Sequence, residues 1–284
     1  MIARRSINIG GSLARALRER GQVREVVGFG RSLGNLQKAV ELGVIDSAAV
    51  SVADAAHSAD MIVVSVPVGS MEDIFSQLAP VLSEDAVVTD VGSVKRAVID
   101  AARKSLAARF SAFVPGHPIA GAEHSGVTAS KAELFEQHRV ILTPEAETDA
   151  AAVVRVRAMW QVTGAQVMML PVEQHDEILA ACSHLPHVLA YGLVDMLVRR
   201  DDHRAIFELA AGGFRDFTRI ASSDPVMWRD ICLANREAIV KVLQDFRDNL
   251  DSLTDAIVKG DGDWLMETFE RAKHARDAYV RREE

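Results

Sequence analysis

The chain has 284 residues, about right for two domains at roughly 100–200 residues each. Apolar residues make up 49% and charged residues 25%, which excludes extensive disorder and leaves enough aliphatic material for large, helix-rich cores. A net charge of −8 excludes a general nucleic-acid or anionic-membrane surface, so an anionic ligand must be met by a local cluster of Arg and His.

Residues 1–4 are too short and too polar for a central buried strand, and Gly10, Gly11 and Ser12 then lead into a helical stretch at 13–20. Short apolar runs at 26–28, 61–66, 86–89, 113–114 and 140–142 read as strands. Their continuous Val and Ile content points to a parallel sheet covered on both faces by helices such as 13–20 and 33–42. Residues 1–145 thus read as a Rossmann-like, doubly wound α/β domain with its first strand incomplete.

After Pro144 the periodicity becomes helical: a helix at 148–163, a short strand at 166–170, and a long helix from Pro171 to about residue 200, bent or interrupted near Pro186. Further helices are expected at 204–211, at 224–259 with Pro225 near its start, and at 263–282, with Gly260 and Gly262 separating the last two. Residues 146–284 therefore form an all-α second domain. Long helices of this kind commonly share their apolar faces with a second copy, so a homodimer is expected.

Cys182 and Cys232 are too few and too far apart for a metal knuckle or a disulfide framework, and a reduced, cytoplasmic setting fits. No apolar segment of a signal peptide follows the opening arginines, and no run approaches the ~20 apolar residues of a membrane span.

Four stretches carry chemistry. A dinucleotide fingerprint needs Gly-x-Gly-x-x-Gly between a strand and a helix; with Gly10 as the third glycine, the first two positions fall on Arg5 and Ile7. Gly10, Gly11 and Ser12 alone remain of the phosphate turn, or simply begin a helix. About twenty residues on, where an acid would bind the adenosine ribose of NAD, the chain has Gly30, Arg31 and Ser32, the arrangement a 2′-phosphate needs. NADP is therefore favoured over NAD. Val66 and Pro67 end a strand and could flank the cofactor.

In Asp90-Val-Gly-Ser-Val-Lys95, Ser93 could position a catalytic group or the nicotinamide amide, cap the helix that follows, or do both; Lys95 is expected on that helix's surface. In GHPIAGAEHSG from Gly116, a turn presents His117 at the mouth of the sheet, and imidazole is the side chain best poised for proton transfer near neutral pH.

These residues resemble the prephenate dehydrogenase family, the cyclohexadienyl and arogenate dehydrogenases of tyrosine synthesis. The resemblance rests on DVGSVK, GHPIAGAEHSG with VILTP downstream, QHD at Gln174, SHLPH from Ser183 and GGFRDFTRIASSDPVMW from Gly212, in order across most of the chain. It implies oxidative decarboxylation of prephenate or arogenate with hydride transfer to NAD(P)+ and no metal. His117 would accept the 4-hydroxyl proton as hydride departs, with Ser93 beside it. Arg219 would bind the ring carboxylate, and Ser183 and His187 would receive the side-chain end. His175, Glu123 and Trp228 would line or close the cleft, with Arg215 and Asp216 as a further contact or gate.

The resemblance fades upstream of Ile9, where the family has a strand and two glycines. A shortened N-terminus with weak nucleotide binding is the corresponding expectation.

Overall fold

The computed structural model describes residues 2–3, 7–120 and 126–283. Glu123 and Arg5, both named above, lie outside the described residues. The first half runs β1 (Ile2–Ala3), α1 (Ile7–Glu19), β2 (Val27–Gly28), α2 (Leu33–Glu41), β3 (Ser47–Ala48), α3 (Val52–Ala56), β4 (Met61–Ser65), α4 (Met71–Leu78), β5 (Val87–Asp90), α5 (Arg96–Leu106) and β6 (Phe113–Val114). Strands β1, β4, β5 and β6 form one parallel sheet in that order, and β2 pairs with β3 in a separate parallel pair. Residues 1–4, too short and too polar for a central buried strand, contribute only the two-residue β1, where Ile2 and Ala3 pair in parallel with Val64 and Ser65 at the end of the sheet order.

The apolar runs produce this sheet because both of its faces are covered. Ile62, Val64 and Val88 pack with Ile74, Phe75, Ile99 and Phe113 on one side. Their neighbours Val63 and Val87 pack with Leu13, Leu17, Phe135 and Trp160 on the other. Strand side chains alternate between faces, so burial on both sides demands an unbroken apolar run. A cavity of about 380 Å³ opens among β2, β4 and α1, lined by Val23, Val26, Val27, Met61 and Val63.

A second sheet follows. The segment β7 (Gly116–Pro118) runs antiparallel to β8 (Arg139–Leu142), and β9 (Gln166–Met169) pairs in parallel with β8 after α6 (Ala150–Gln161). His117 thus sits on a short strand, opposite Ile141, where a turn was expected. Trp160 of α6 packs in the second core, so the layered α/β part continues to Met169, past residue 145.

The remaining elements are helical: α7 (Val172–Leu179), α8 (Leu185–Val198), α9 (His203–Glu208), α10 (Gly212–Thr218), α11 (Pro225–Ala234), α12 (Arg236–Lys259) and α13 (Gly262–Glu283). Helices α7 and α8 are continuous through a π-helical turn at Ala180–His184, immediately before Pro186. Proline lacks the N–H that the preceding turn would use, and the wider turn absorbs the mismatch. The helix expected at 224–259 is broken: Asn235 ends α11 with φ −108° and ψ 33°. Val172–Val198 is long and apolar enough to cross a membrane by length and composition, although Glu173, Asp176, Glu177 and Asp195 leave no unbroken apolar run of about 20 residues within it. By contacts the chain divides into two compact units, Met1–Arg236 and Glu237–Glu284, and every site residue below belongs to the first.

Candidate active site

The carboxyl end of β5 and the amino end of β7 meet at a buried ion pair. Lys95 and Asp90 are both 0% exposed, with Nζ 2.5 Å from Oδ2. Lys95 Nζ also donates to the Gly116 carbonyl at 2.7 Å. Asp90 accepts from the Gly92 N–H at 2.7 Å and the Gly116 N–H at 3.1 Å. Burial pushes the Lys95 ammonium below its usual range, and Asp90 opposes that shift. Lys95 is therefore no surface residue. It fixes the backbone on which His117 is mounted, and Gly116 is required there, because a Cβ would lie 2.9 Å from the Asp90 carbonyl oxygen.

His117 is buried, and its Nδ1 lies 2.9 Å from His175 Nε2. His175 Nδ1 in turn lies 2.8 Å from Asp176 Oδ1. Asp176 also accepts the backbone N–H groups of Lys95 and Arg96, each at 2.9 Å. The residue that caps α5 is therefore Asp176, whereas Ser93 was expected: Ser93 is half-buried in the loop ahead of the helix and makes no hydrogen bond to His117. A carboxylate at a helix N-terminus satisfies orphan N–H groups and complements the helix dipole.

Burial, and after it the charges of His175 and Lys95, push His117 well below the usual histidine range. His175 is lowered by burial although Asp176 pulls it up. For Asp176, burial raises the carboxyl, but the hydrogen bonds from His175, Lys95 and Arg96 outweigh it and hold the group below the ordinary carboxylate range. The imidazoles are neutral and the carboxylate is ionised.

Asn235, at the break between α11 and α12, donates to the Asp176 carbonyl at 2.9 Å and lies 3.1 Å from His184 Nδ1. Both bonds need the side-chain amide turned inward, which accounts for the helix break. Burial lowers His184 to about 4. With Nδ1 accepting from Asn235, its Nε2 carries the proton, and neither that atom nor Trp228 Nε1 has a hydrogen-bond partner. Unsatisfied buried N–H groups cost about 1–3 kcal/mol each and mark a place where an acceptor is missing.

His187 stacks on Trp228 with ring centroids 3.6 Å apart, and its Nδ1 donates to the Ser183 carbonyl at 2.9 Å. Burial lowers His187, and the nearby Arg219 guanidinium lowers it further. Ser183, His187, Trp228 and Arg219 are thereby gathered in one region, with Arg219 exposed at the end of α10. Asp216 is exposed on α10 and makes no ion pair with Arg215.

The residues expected at the cofactor are placed unevenly. Gly10, Gly11 and Ser12 lie inside α1, which begins at Ile7, so they do not form the phosphate turn itself. Ser12 is buried and accepts the Lys131 N–H at 3.0 Å, and a Cβ on Gly11 would lie 3.2 Å from Ser130 Cβ: these two residues pack α1 against its neighbour. Val66 is buried in the first core, with Pro67 half-buried after it. Arg31 is exposed, and Ser32 caps α2 by accepting the Asn35 N–H. The donors present fit a dinucleotide: the opening N–H groups of the thirteen-residue α1, which have no acceptor within the helix, and the Arg31 guanidinium beyond β2.

Lys95, Asp176 and Asn235 were missed by sequence reasoning as site residues. The signals available were weak: an Asp and a Lys five apart around a glycine, and an Asp directly after His175.

Comparison with known proteins adds the chemistry. The family profile "Prephenate dehydrogenase, nucleotide-binding domain" matches residues 13–169, and "Prephenate dehydrogenase, dimerization domain" matches residues 171–271. The chain is similar to a cyclohexadienyl dehydrogenase of Zymomonas mobilis, 40% identical over 84% of this chain and 81% of that one. Among solved structures, it is similar to prephenate dehydrogenase from Aquifex aeolicus in complex with hydroxyphenyl propionate and NAD+. There the TM-score is 0.90 at 38% identity, over 97% of this chain and 96% of that one. Arogenate dehydrogenase from Synechocystis gives a TM-score of 0.81 at 29% identity, over 98% and 99%.

Proposed function

The chain belongs to the prephenate dehydrogenase family, and on that premise we propose that it oxidatively decarboxylates prephenate or arogenate, with NAD(P)+ as hydride acceptor. The observation that carries the reading is His117: neutral, buried and hydrogen-bonded through one ring nitrogen, at the carboxyl ends of the strands where ligands bind in open α/β sheets. A neutral imidazole with one nitrogen engaged can take a proton on the other.

When bound, NAD(P)+ supplies the acceptor for the hydride leaving C4 of the cyclohexadiene ring. His117 takes the 4-hydroxyl proton as the carbonyl forms, the C1–carboxyl bond breaks to release CO₂, and the ring becomes aromatic. A positioned base contributes about 10²–10⁴-fold. Arg219 presents a fork of N–H donors to the ring carboxylate, and Ser183 and His187, with the N–H groups of His184 and Trp228 nearby, receive the side-chain end. Asp216 lines the approach, and Ser93 positions the nicotinamide amide. No metal is required by this chemistry.

NADP+ is favoured over NAD+, because Arg31 and Ser32 follow β2 where an acid would repel a 2′-phosphate, and Gly30 supplies none. The opening turn of α1 receives the pyrophosphate, and Val66 and Pro67 flank the adenine or ribose side of the cofactor. The protein acts as a homodimer: Met266 and Phe269, three apart on one face of α13, are more than half exposed, and a second copy covers that apolar face.

The experiment is turnover of prephenate and of arogenate with each cofactor, following nicotinamide reduction. No reduction in any of the four combinations overturns the reading. Arg31→Ala should raise KM for NADP+ more than for NAD+; equal effects would remove the NADP preference.

A further inference from the structure

His117 can act as a base only if the nitrogen facing the substrate lacks a proton, and nothing intrinsic to an imidazole decides which nitrogen that is. We infer that His175 is a positioning residue: together with Asp176 it holds the proton of His117 on Nδ1, so that Nε2 is the atom that takes the substrate's hydroxyl proton. The inference rests on the activity proposed above and goes beyond it to the atom.

The assignment follows from one fixed end. Asp176 is ionised and can only accept, so the nitrogen 2.8 Å away, His175 Nδ1, must carry a hydrogen. A neutral His175 then has its lone pair on Nε2. That atom lies 2.9 Å from His117 Nδ1, so the hydrogen between them belongs to His117, and the Nε2 of His117 is left bare. The opposite arrangement, with His175 donating to His117, needs both nitrogens of His175 protonated. Burial opposes that cation, and Lys95 adds a like charge.

Asp176 cannot turn away to release the chain of bonds. Its two oxygens also hold the N–H groups of Lys95 and Arg96 at the start of α5, and Asn235 holds its backbone carbonyl. The carboxylate is over-determined by bonds that have nothing to do with proton transfer. An orienting group held rigidly by its surroundings is what a base with a single productive tautomer requires.

Two measurements on the intact protein test this. The first is nitrogen NMR of the chain with its nine histidines labelled, without substrate and above the pH at which they titrate, with His117→Asn to assign the His117 signals. His117 should appear protonated on Nδ1, and a spectrum showing it protonated on Nε2 overturns the proposal. The second is steady-state kinetics of His175→Phe and His175→Gln. Phe keeps a ring but no acceptor, so kcat should fall about 10²-fold while KM for substrate stays within about threefold. Gln can still accept the His117 hydrogen and should restore kcat to within about tenfold of the parent. A His175→Phe kcat within about threefold of the parent, or a Gln variant no better than Phe, overturns it. Should the Phe variant not fold, the tautomer spectrum of the parent and the Gln variant decide. A parent that oxidises neither substrate refutes the proposed activity, while the spectrum still reports on the tautomer.

Discussion

Replacing Lys95 by Met tests whether the ion pair beneath His117 holds the site together. The substitution keeps an unbranched apolar stem but removes the ammonium, leaving the Asp90 carboxylate buried with only the Gly92 and Gly116 N–H donors, and the Gly116 carbonyl without its 2.7 Å partner. Removing one partner of a buried pair costs about 3–5 kcal/mol, because the remaining charge is uncompensated. That is at least about a fifth of the ~5–15 kcal/mol net stability of an ordinary domain. Urea unfolding at fixed protein concentration reads it as a fall in midpoint.

Lys104→Met serves as the control: its ammonium pairs with Glu72 at 2.6 Å but is 75% exposed, so solvent screening should make the loss small. Adding Asp90→Leu to Lys95→Met should not restore stability, since the two glycine N–H groups then lose their acceptor. A Lys95→Met loss no larger than that of Lys104→Met would refute the reasoning.

Three further outcomes follow from the same geometry. Gly116→Ala places a methyl 2.9 Å from a backbone oxygen and should destabilise by about 1–3 kcal/mol, whereas Gly34→Ala, with nothing within 4 Å, should be neutral or stabilise by about 0.5–1 kcal/mol, both read by urea midpoints. His184 is lowered from 6.5 to about 4, so the folded state favours its neutral form; its contribution is complete above about pH 6.5 and lost as pH falls towards 4, about 3 kcal/mol in all. The lowered His117, His175 and His187 act in the same direction. A urea midpoint that is flat across that window, or that His184→Gln leaves equally steep, would contradict this. Arg219→Lys keeps the charge but not the fork, so KM for substrate should rise about tenfold or more with a smaller change in kcat; an unchanged KM would remove Arg219 from carboxylate binding.

The layered sheet was legible because strands buried on both faces must be apolar throughout, and the runs at 61–66 and 86–89 fit no other role in a charged, soluble-type composition. Motif order singled out His117, Arg219, Ser183 and His187, and the structure buries His117 and sets Ser183 and Arg219 next to His187. Lys95 was not: nothing within its own helix distinguishes a buried lysine from a solvated one, and its partners come from β5 and β7. The cap of α5 was misread for a related reason. Ser93 satisfies the local rule for an N-cap, but a carboxylate some 80 residues away reaches both N–H groups and wins. The break at Asn235 likewise follows from side-chain bonds to Asp176 and His184, which periodicity cannot register.

The π-helical turn at Ala180–His184 changes the angular bookkeeping of the substrate region. A regular helix advances about 100° per residue, so the one extra residue held in this turn rotates everything after it by about that amount relative to α7. In an unbroken α-helix His187 would point about 120° away from His175; with the wider turn the two fall within about 20° of each other, and His187 comes to rest on Trp228. Deleting Cys182 and letting the backbone close into a regular helix would remove the wide turn yet leave His187 on the same bearing, because eleven residues at about 100° each bring it to within about 20° of His175. The length of this turn, more than the identity of any residue in it, sets the bearing of the groups that follow.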